Sequence, residues 1–247
     1  MKNGSEIPNV DYLGDFQKEL SDIDKLEQTP ALIKMMSIAA LQKAMDTPGV
    51  GPGIRRSLEN TKMGLENIKE GSIRRNYSII YSQMCILAVS SLEATLKKYF
   101  ENALNGFNNI NQENKELEGI RITLAELVTN NLSYRSGFGS LVLEKAKLNF
   151  QDFQAIKRNF KNYLSKEIGL DSEIEKRICF YLELRHVLVH KGGIIDKKFV
   201  DATTSFEANI KDYQEDNRAV VDSNDWSAIK TSFSALVQNL TQYNPKS

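Results

Sequence analysis

Histidine and cysteine are scarce in this chain, with two of each among 247 residues. Cys85 and Cys179 lie far apart in apolar surroundings, which excludes a disulfide framework and predicts reduced, packed thiols. Net charge is also missing: 32 basic residues face 32 acidic ones. No whole-molecule field therefore draws in nucleic acid, and any anionic ligand has to be held by a local patch. Long apolar runs are absent as well. The most apolar stretch, Ile79 to Leu92, is short and interrupted by Ser82 and Gln83, and the start MKNGSEIPNV has no apolar core of the signal-peptide kind. The expectation is a cytoplasmic protein that does not enter a membrane. No Walker-type loop, Rossmann fingerprint or GxSxG elbow occurs, and GVGPG is broken by proline with no strand before it. The common nucleotide-hydrolase and serine-hydrolase classes are thereby excluded.

What is present is helix. Hydrophobic residues make up 41% of the chain and charged ones 26%, enough for one large domain or a domain with an extension. Val10, Leu13, Phe16, Leu20, Ile23 and Leu26 recur at spacings of three and four, which predicts a first amphipathic helix. Thr29-Pro30 reads as the cap and first turn of a second, running to about Asp46, and TPGVGPG stops it. A third runs from Ile54 to Gly71 across Gly64. From Ser72 to about Leu104 no glycine or proline intervenes, giving about 30 residues, or about 45 Å, of spine helix. The asparagine-rich segment from Asn105 to Gly119 reads as a surface loop. Further helices are expected at 123–131, 140–147, 152–166, 171–191 and 225–242, with a small hairpin or irregular excursion over 193–221. The fold class is all-α, a helical bundle, with 1–53 as an N-terminal helical extension and 54–247 as the bundle.

One helix carries the chemistry. Both histidines of the chain, His186 and His190, lie within five residues of Arg185 in RHVLVHKGG. At 100° per residue, Phe180, Leu184, Val187 and Leu188 fall on one side, and Ile178, Leu182 and Val189 nearly opposite. Two apolar stripes require two packing partners, with Arg185 between them. Cys179, Glu183, His186 and His190 form a third, polar line. Arg185 and His190 are about 140° apart on an ideal helix, so they would converge only around a substrate lying across the helix end, or with a second copy contributing.

An arginine followed by a polar residue and, four to six positions later, a histidine resembles the motif of the HEPN (higher eukaryotes and prokaryotes nucleotide-binding) ribonucleases. Arg185-His186-x-x-x-His190 fits it, KGGIIDKKF is similar to the stretch after the motif in prokaryotic members, and SSLEATLKKYF is similar to their earlier long helix with its internal glutamate. The resemblance covers roughly Ser72 to Gln242. It implies a helical bundle that dimerises through the motif helices and cleaves RNA without a metal or other cofactor, often as a toxin with an antitoxin or as an anti-phage effector. The chain has His186 where the family more usually has asparagine or aspartate. In such cleavage a 2′-hydroxyl attacks the adjacent phosphate, which needs a base and positive charge where the phosphorane builds up. His190 is the candidate base, His186 an assistant or acid, and Arg185 a planar fork for two phosphate oxygens.

Other residues are candidates in supporting roles. Glu93, among Val89, Leu92 and Leu96, either faces solvent or pairs with a cation such as Arg185; Glu183 stands beside the motif. Lys157, Arg158, Lys161 and Lys191, with Lys145, Lys147 and Lys166, would track phosphates or simply be solvated. Tyr134, Phe150, Phe153, Phe160 and Tyr163 have spacings that suit core packing better than base stacking. Alternatives remain for the motif itself: a buried polar cluster satisfied by Glu183 or backbone carbonyls, a zinc site using Glu183, His186, His190 and Cys179, or a HEPN-like module that only binds nucleotides or partners.

Overall fold

A computed structural model describes residues 10–67, 70–106, 119–129, 137–204 and 214–242. Its helices are α1 (Tyr12–Met45), α2 (Pro52–Glu66), α3 (Glu70–Asn105), α4 (Leu124–Thr129), α5 (Phe138–Lys145), α6 (Phe153–Leu164), α7 (Ser172–His190), α8 (Lys197–Thr204) and α9 (Ser223–Gln242). Among the described residues there is no strand, only an isolated antiparallel bridge between Ile194 and Arg218. The chain is an all-α bundle. The asparagine-rich segment expected as a loop lies largely outside the described residues, as do Tyr134 and the end of the helix expected over 123–131.

Helix α3 is the spine because it offers apolar side chains in more than one direction. It packs against α1, α5, α6, α7 and α9, burying Met84, Cys85, Ala88, Val89, Leu92, Leu96, Phe100 and Leu104. By length and composition its Tyr77–Asn105 stretch would suffice to cross a bilayer; in the bundle those buried residues form the centre of the core. Phe100 meets the edges or faces of Phe150, Phe160 and Tyr163 at centroid distances of 5.3–5.9 Å, the geometry that aromatic quadrupoles favour. Phe150, Phe153, Phe160 and Tyr163 are thus core residues. Helix α5 approaches α3 so closely at Gly139 that a Cβ there would collide with the Glu101 carbonyl. Only glycine permits that contact.

The two helices expected before residue 46 are one. Pro30 sits inside α1, although proline lacks the N–H that would reach the Leu26 carbonyl and its ring crowds that oxygen. Tertiary contacts on both sides hold the helix together. Ahead of the proline, Phe16 and Leu20 are buried in the same core as α3, Ser91 donates to Glu19, Tyr81 donates to Glu27, and Trp226 and Lys230 of α9 both donate to Asp24. Beyond it, α2 packs against α1, with Lys62 donating to Gln42 at 2.8 Å. There Leu32, Ile33, Met35 and Met36 of α1 and Ile54 and Met63 of α2 are exposed. Periodicity alone favours proline as a start signal; the packing overrides it.

Local capping sets the elements around α7. Asp152 accepts from the Gln154 and Ala155 backbone N–H groups at the start of α6, and Asp171 accepts from Glu173 at the start of α7. Helix α9 begins with a reciprocal cap, the Asp222 carboxylate accepting from Asn224 and Asp225 while Asp225 accepts from the Asp222 N–H, the arrangement that satisfies orphan donors at a helix start. Helix α7 ends where Gly192 and Gly193 take φ of +61° and +84°, a left-handed region that glycine enters without strain. The Gly193 N–H returns to the Val187 carbonyl at 3.1 Å. In the excursion expected over 193–221, Ile195 and Ala219 backbone donors close a narrow ladder with Asn217 and Gly193. That excursion also contains a helix not expected from the sequence, α8, held on α7 by Phe199 against Phe180 at 5.7 Å.

Candidate functional site

Helix α7 buries both predicted stripes up to its last turn, where Leu188 is only partly buried. Ile178, Phe180, Tyr181, Leu182, Leu184 and Val187 are buried, against α3, α6, α8 and α9. Val189, in the last turn, is 42% exposed. Arg185 falls between the stripes as expected and is only partly buried. Its Nε is fully buried with no hydrogen-bond partner, and no ion pair to its guanidinium occurs among the described residues. A buried N–H left unpaired costs about 1–3 kcal/mol, so this arginine is held in an arrangement that the fold alone does not reward.

Arg185 lines a cleft of about 170 Å³ together with Glu183 and His186 of α7, Asn149 and Gln151 of the α5–α6 connection, and Lys198 of α8. Val89 of α3, Leu182 and Asp152 complete its lining. His190 does not line this cleft; it is exposed at the end of α7. Its ring nevertheless lies 4.7 Å, centroid to centroid, from that of His186, tilted by 47°. The structure therefore brings Arg185, Glu183 and His186 to one cleft, with His190 in contact with His186 rather than with Arg185. The turn from i to i+4 accounts for the paired rings, and the 140° separation keeps His190 and Arg185 apart.

Glu93 is not Arg185's partner. Its carboxylate takes the Lys97 ammonium at 2.7 Å and lies 3.4 Å from the Gln151 amide, which connects it to the cleft wall through Gln151. The candidate phosphate-tracking cations are mostly engaged: Lys157 with Glu175 at 2.9 Å, Lys161 with Glu167 at 2.8 Å and Lys191 with Asp196 at 3.6 Å. Arg158 is exposed on α6. Lys166, expected among the surface cations, is only 4% exposed. The left-handed turn at Ser165 directs it inward, where its Nζ donates to the Tyr99 hydroxyl at 2.8 Å and to the Leu240 carbonyl. Burial pulls its pKa down to about 8.

The zinc alternative needs ligands in one place. Cys179 is partly buried, and burial, with the nearby carboxylates of Glu175 and Asp152, pushes its thiol up to about 11. Among the described residues no three His, Cys, Asp or Glu side chains come close enough to share an ion. Cys85 is fully buried and its thiol is raised by desolvation.

Sequence reasoning missed Lys198, Asn149, Gln151 and Asp196. Asp196 caps α8 by accepting from the Phe199 N–H at 2.9 Å. That hydrogen bond first, then Lys191 and His186, hold its carboxyl below the usual range. Asp196 three residues ahead of Phe199 is a readable helix-start signal in IIDKKF, and would have put Lys198 in a first helical turn. Asn149 and Gln151 carry no comparable signal, since the α5–α6 connection reaches α7 only through the packing of α6. Compared with family models, characterised proteins and solved structures, the chain has no match.

Proposed function

We propose that the protein is an endoribonuclease that cleaves RNA by 2′-hydroxyl attack without a metal, as the resemblance of its motif to HEPN ribonucleases implies. The observation that carries this reading is the cleft in which Arg185, with no partner among the described residues, stands beside His186, whose ring contacts that of the second histidine. A guanidinium without a partner among the described residues is available to two phosphate oxygens. In the reaction the 2′-oxygen bonds to phosphorus and the bond to the 5′-oxygen breaks. His186 takes the 2′-hydroxyl proton, Arg185 carries the charge that gathers on the phosphorane, and His190, outside the cleft but 4.7 Å from the His186 ring, supplies a proton to the departing 5′-oxygen where the strand leaves the cleft over the end of α7. The products are a 2′,3′-cyclic phosphate and a 5′-hydroxyl end. Relative to the expectation from sequence, the two histidines exchange roles, because His186 is the one that faces the cleft.

The reading extends to a homodimer through α7. Val189 and Ile194 are exposed beside His190, and Ile79 and Val220 are exposed on neighbouring elements; a second copy there would cover them and add its own His190 near the first. Action in the cytoplasm belongs to the same reading and rests on the two unpaired thiols Cys85 and Cys179; a role as toxin or anti-phage effector with an antitoxin or defence partner rests on the resemblance. RNA incubated with the parent and with Arg185→Ala, His186→Ala and His190→Ala proteins tests it. Cleavage to cyclic phosphate ends is expected, with losses of about 100-fold or more for each variant. If all four preparations cut alike, or none cuts any RNA supplied, the nuclease reading fails and a binding module with the same cleft takes its place.

A further inference from the structure

Two cationic residues line the cleft from different elements, and the motif accounts for only one. Arg185 comes from α7; Lys198 comes from the first turn of α8. The neighbouring Phe199 is 1% exposed and locked on Phe180, so the backbone that carries Lys198 is fixed against α7. Among the described residues Lys198 has no ion pair or hydrogen bond, whereas Lys157, Lys161, Lys191 and Lys230 each have a carboxylate within 4 Å. The cleft also contains two carboxylates, Glu183 and Asp152. With Arg185 alone, one positive charge would face two negative ones and a phosphate would be repelled. Lys198 restores the balance, and the two N–H groups capped by Asp152 already take up part of that carboxylate's charge.

We infer that Lys198 is a phosphate-binding residue of this cleft, gripping the RNA strand from the α8 side while Arg185 holds it from α7. The inference rests on the nuclease reading for the identity of the strand, but not for the cation pair itself. Lysine suits the task as a compact point charge on a flexible stem, in contrast to the oriented fork of arginine. The glycine turn and the Ile194–Arg218 bridge become parts of the site, since they swing α8 back over the end of α7.

Binding of a 2′-O-methyl RNA oligonucleotide, which cannot undergo 2′-hydroxyl attack, measures the grip separately from cleavage. The full-length parent, Lys198→Ala, Lys198→Arg and, as a remote control on α2, Arg55→Ala are compared across a salt series. Lys198→Ala is expected to bind about tenfold more weakly, with a log–log salt slope smaller by about 0.7. Lys198→Arg should recover most of the affinity and Arg55→Ala should match the parent. The assignment is overturned if Lys198→Ala binds like the parent, if Arg55→Ala loses as much, or if the parent does not bind the oligonucleotide at micromolar concentration. Unmodified RNA assayed in parallel separates the two ideas: selective loss of binding in Lys198→Ala without any cleavage by the parent keeps Lys198 and removes the nuclease, while cleavage unaffected by Lys198→Ala does the reverse.

Discussion

Replacing Arg185 by methionine should make the protein more stable and less active at once. The side chain now buries an Nε–H that no acceptor meets, a defect of about 1–3 kcal/mol. Methionine keeps an unbranched aliphatic stem between the two packed stripes of α7 and removes the unpaired donor. Some of the gain is offset by lost contacts of the longer arginine stem, which leaves an expected increase of about 1 kcal/mol, or about 2–4 °C in the thermal midpoint for a chain of this size. Circular dichroism at the helical band during heating, with urea titration as a check, reads it. Added inorganic phosphate supplies a second arm: it should raise the midpoint of the parent clearly more than that of Arg185→Met, in which Lys198 alone remains to hold the ion. A variant less stable than the parent by more than about 1 kcal/mol would mean that the guanidinium supports the fold, and its missing partner would then say nothing about a ligand.

Two further predictions concern the frame around the site. Lys166 has a folded pKa of about 8 against an ordinary 10.5, so between those values the unfolded chain holds a proton that the folded one has released. Stability should therefore rise with pH from about 8 to 10.5, by at most about 1.4 kcal/mol per pH unit, and Lys166→Met should flatten that rise in urea titrations at stepped pH. Asp24→Ala should leave the Trp226 indole N–H and the Lys230 ammonium without their shared acceptor and cost about 1–3 kcal/mol. Trp226 is the one tryptophan of the chain, so its fluorescence reports directly whether α1 has loosened from α9; an unchanged spectrum and midpoint would show the contact to be idle.

Much of the fold is legible in the sequence because long helices advertise themselves through period and punctuation. The spine over 72–104 and the motif helix over 171–191 can be read nearly to their ends, since Gly192-Gly193 and Asp171 are local signals that packing does not override. Pro30 misleads for the opposite reason: its local preference is for a helix start, and contacts made by Phe16, Leu20 and Asp24 with distant elements outweigh it. At the site, the line of Glu183 and His186 beside Arg185 comes from helix geometry. The wheel also keeps His190 about 140° from Arg185; that His186 rather than His190 faces the cleft is not legible from it, because a wheel gives angles around one axis and cannot say which neighbours wall off a face. Lys166 illustrates the same limit. Nothing in NYLSKEIG distinguishes a solvated lysine from one turned inward by a left-handed residue.

The proline in the middle of α1 leaves one rung out of an otherwise continuous ladder of amide bonds. The arm made by residues 31–66 is thus joined to the rest of the molecule across a seam at which bending costs least. Insertions, fusions or sequence drift in that arm can be absorbed at the seam with little effect on α7 and α8, which do not pack substantially on α1 or α2, and amide exchange should be faster beside the seam than in the neighbouring turns of α1.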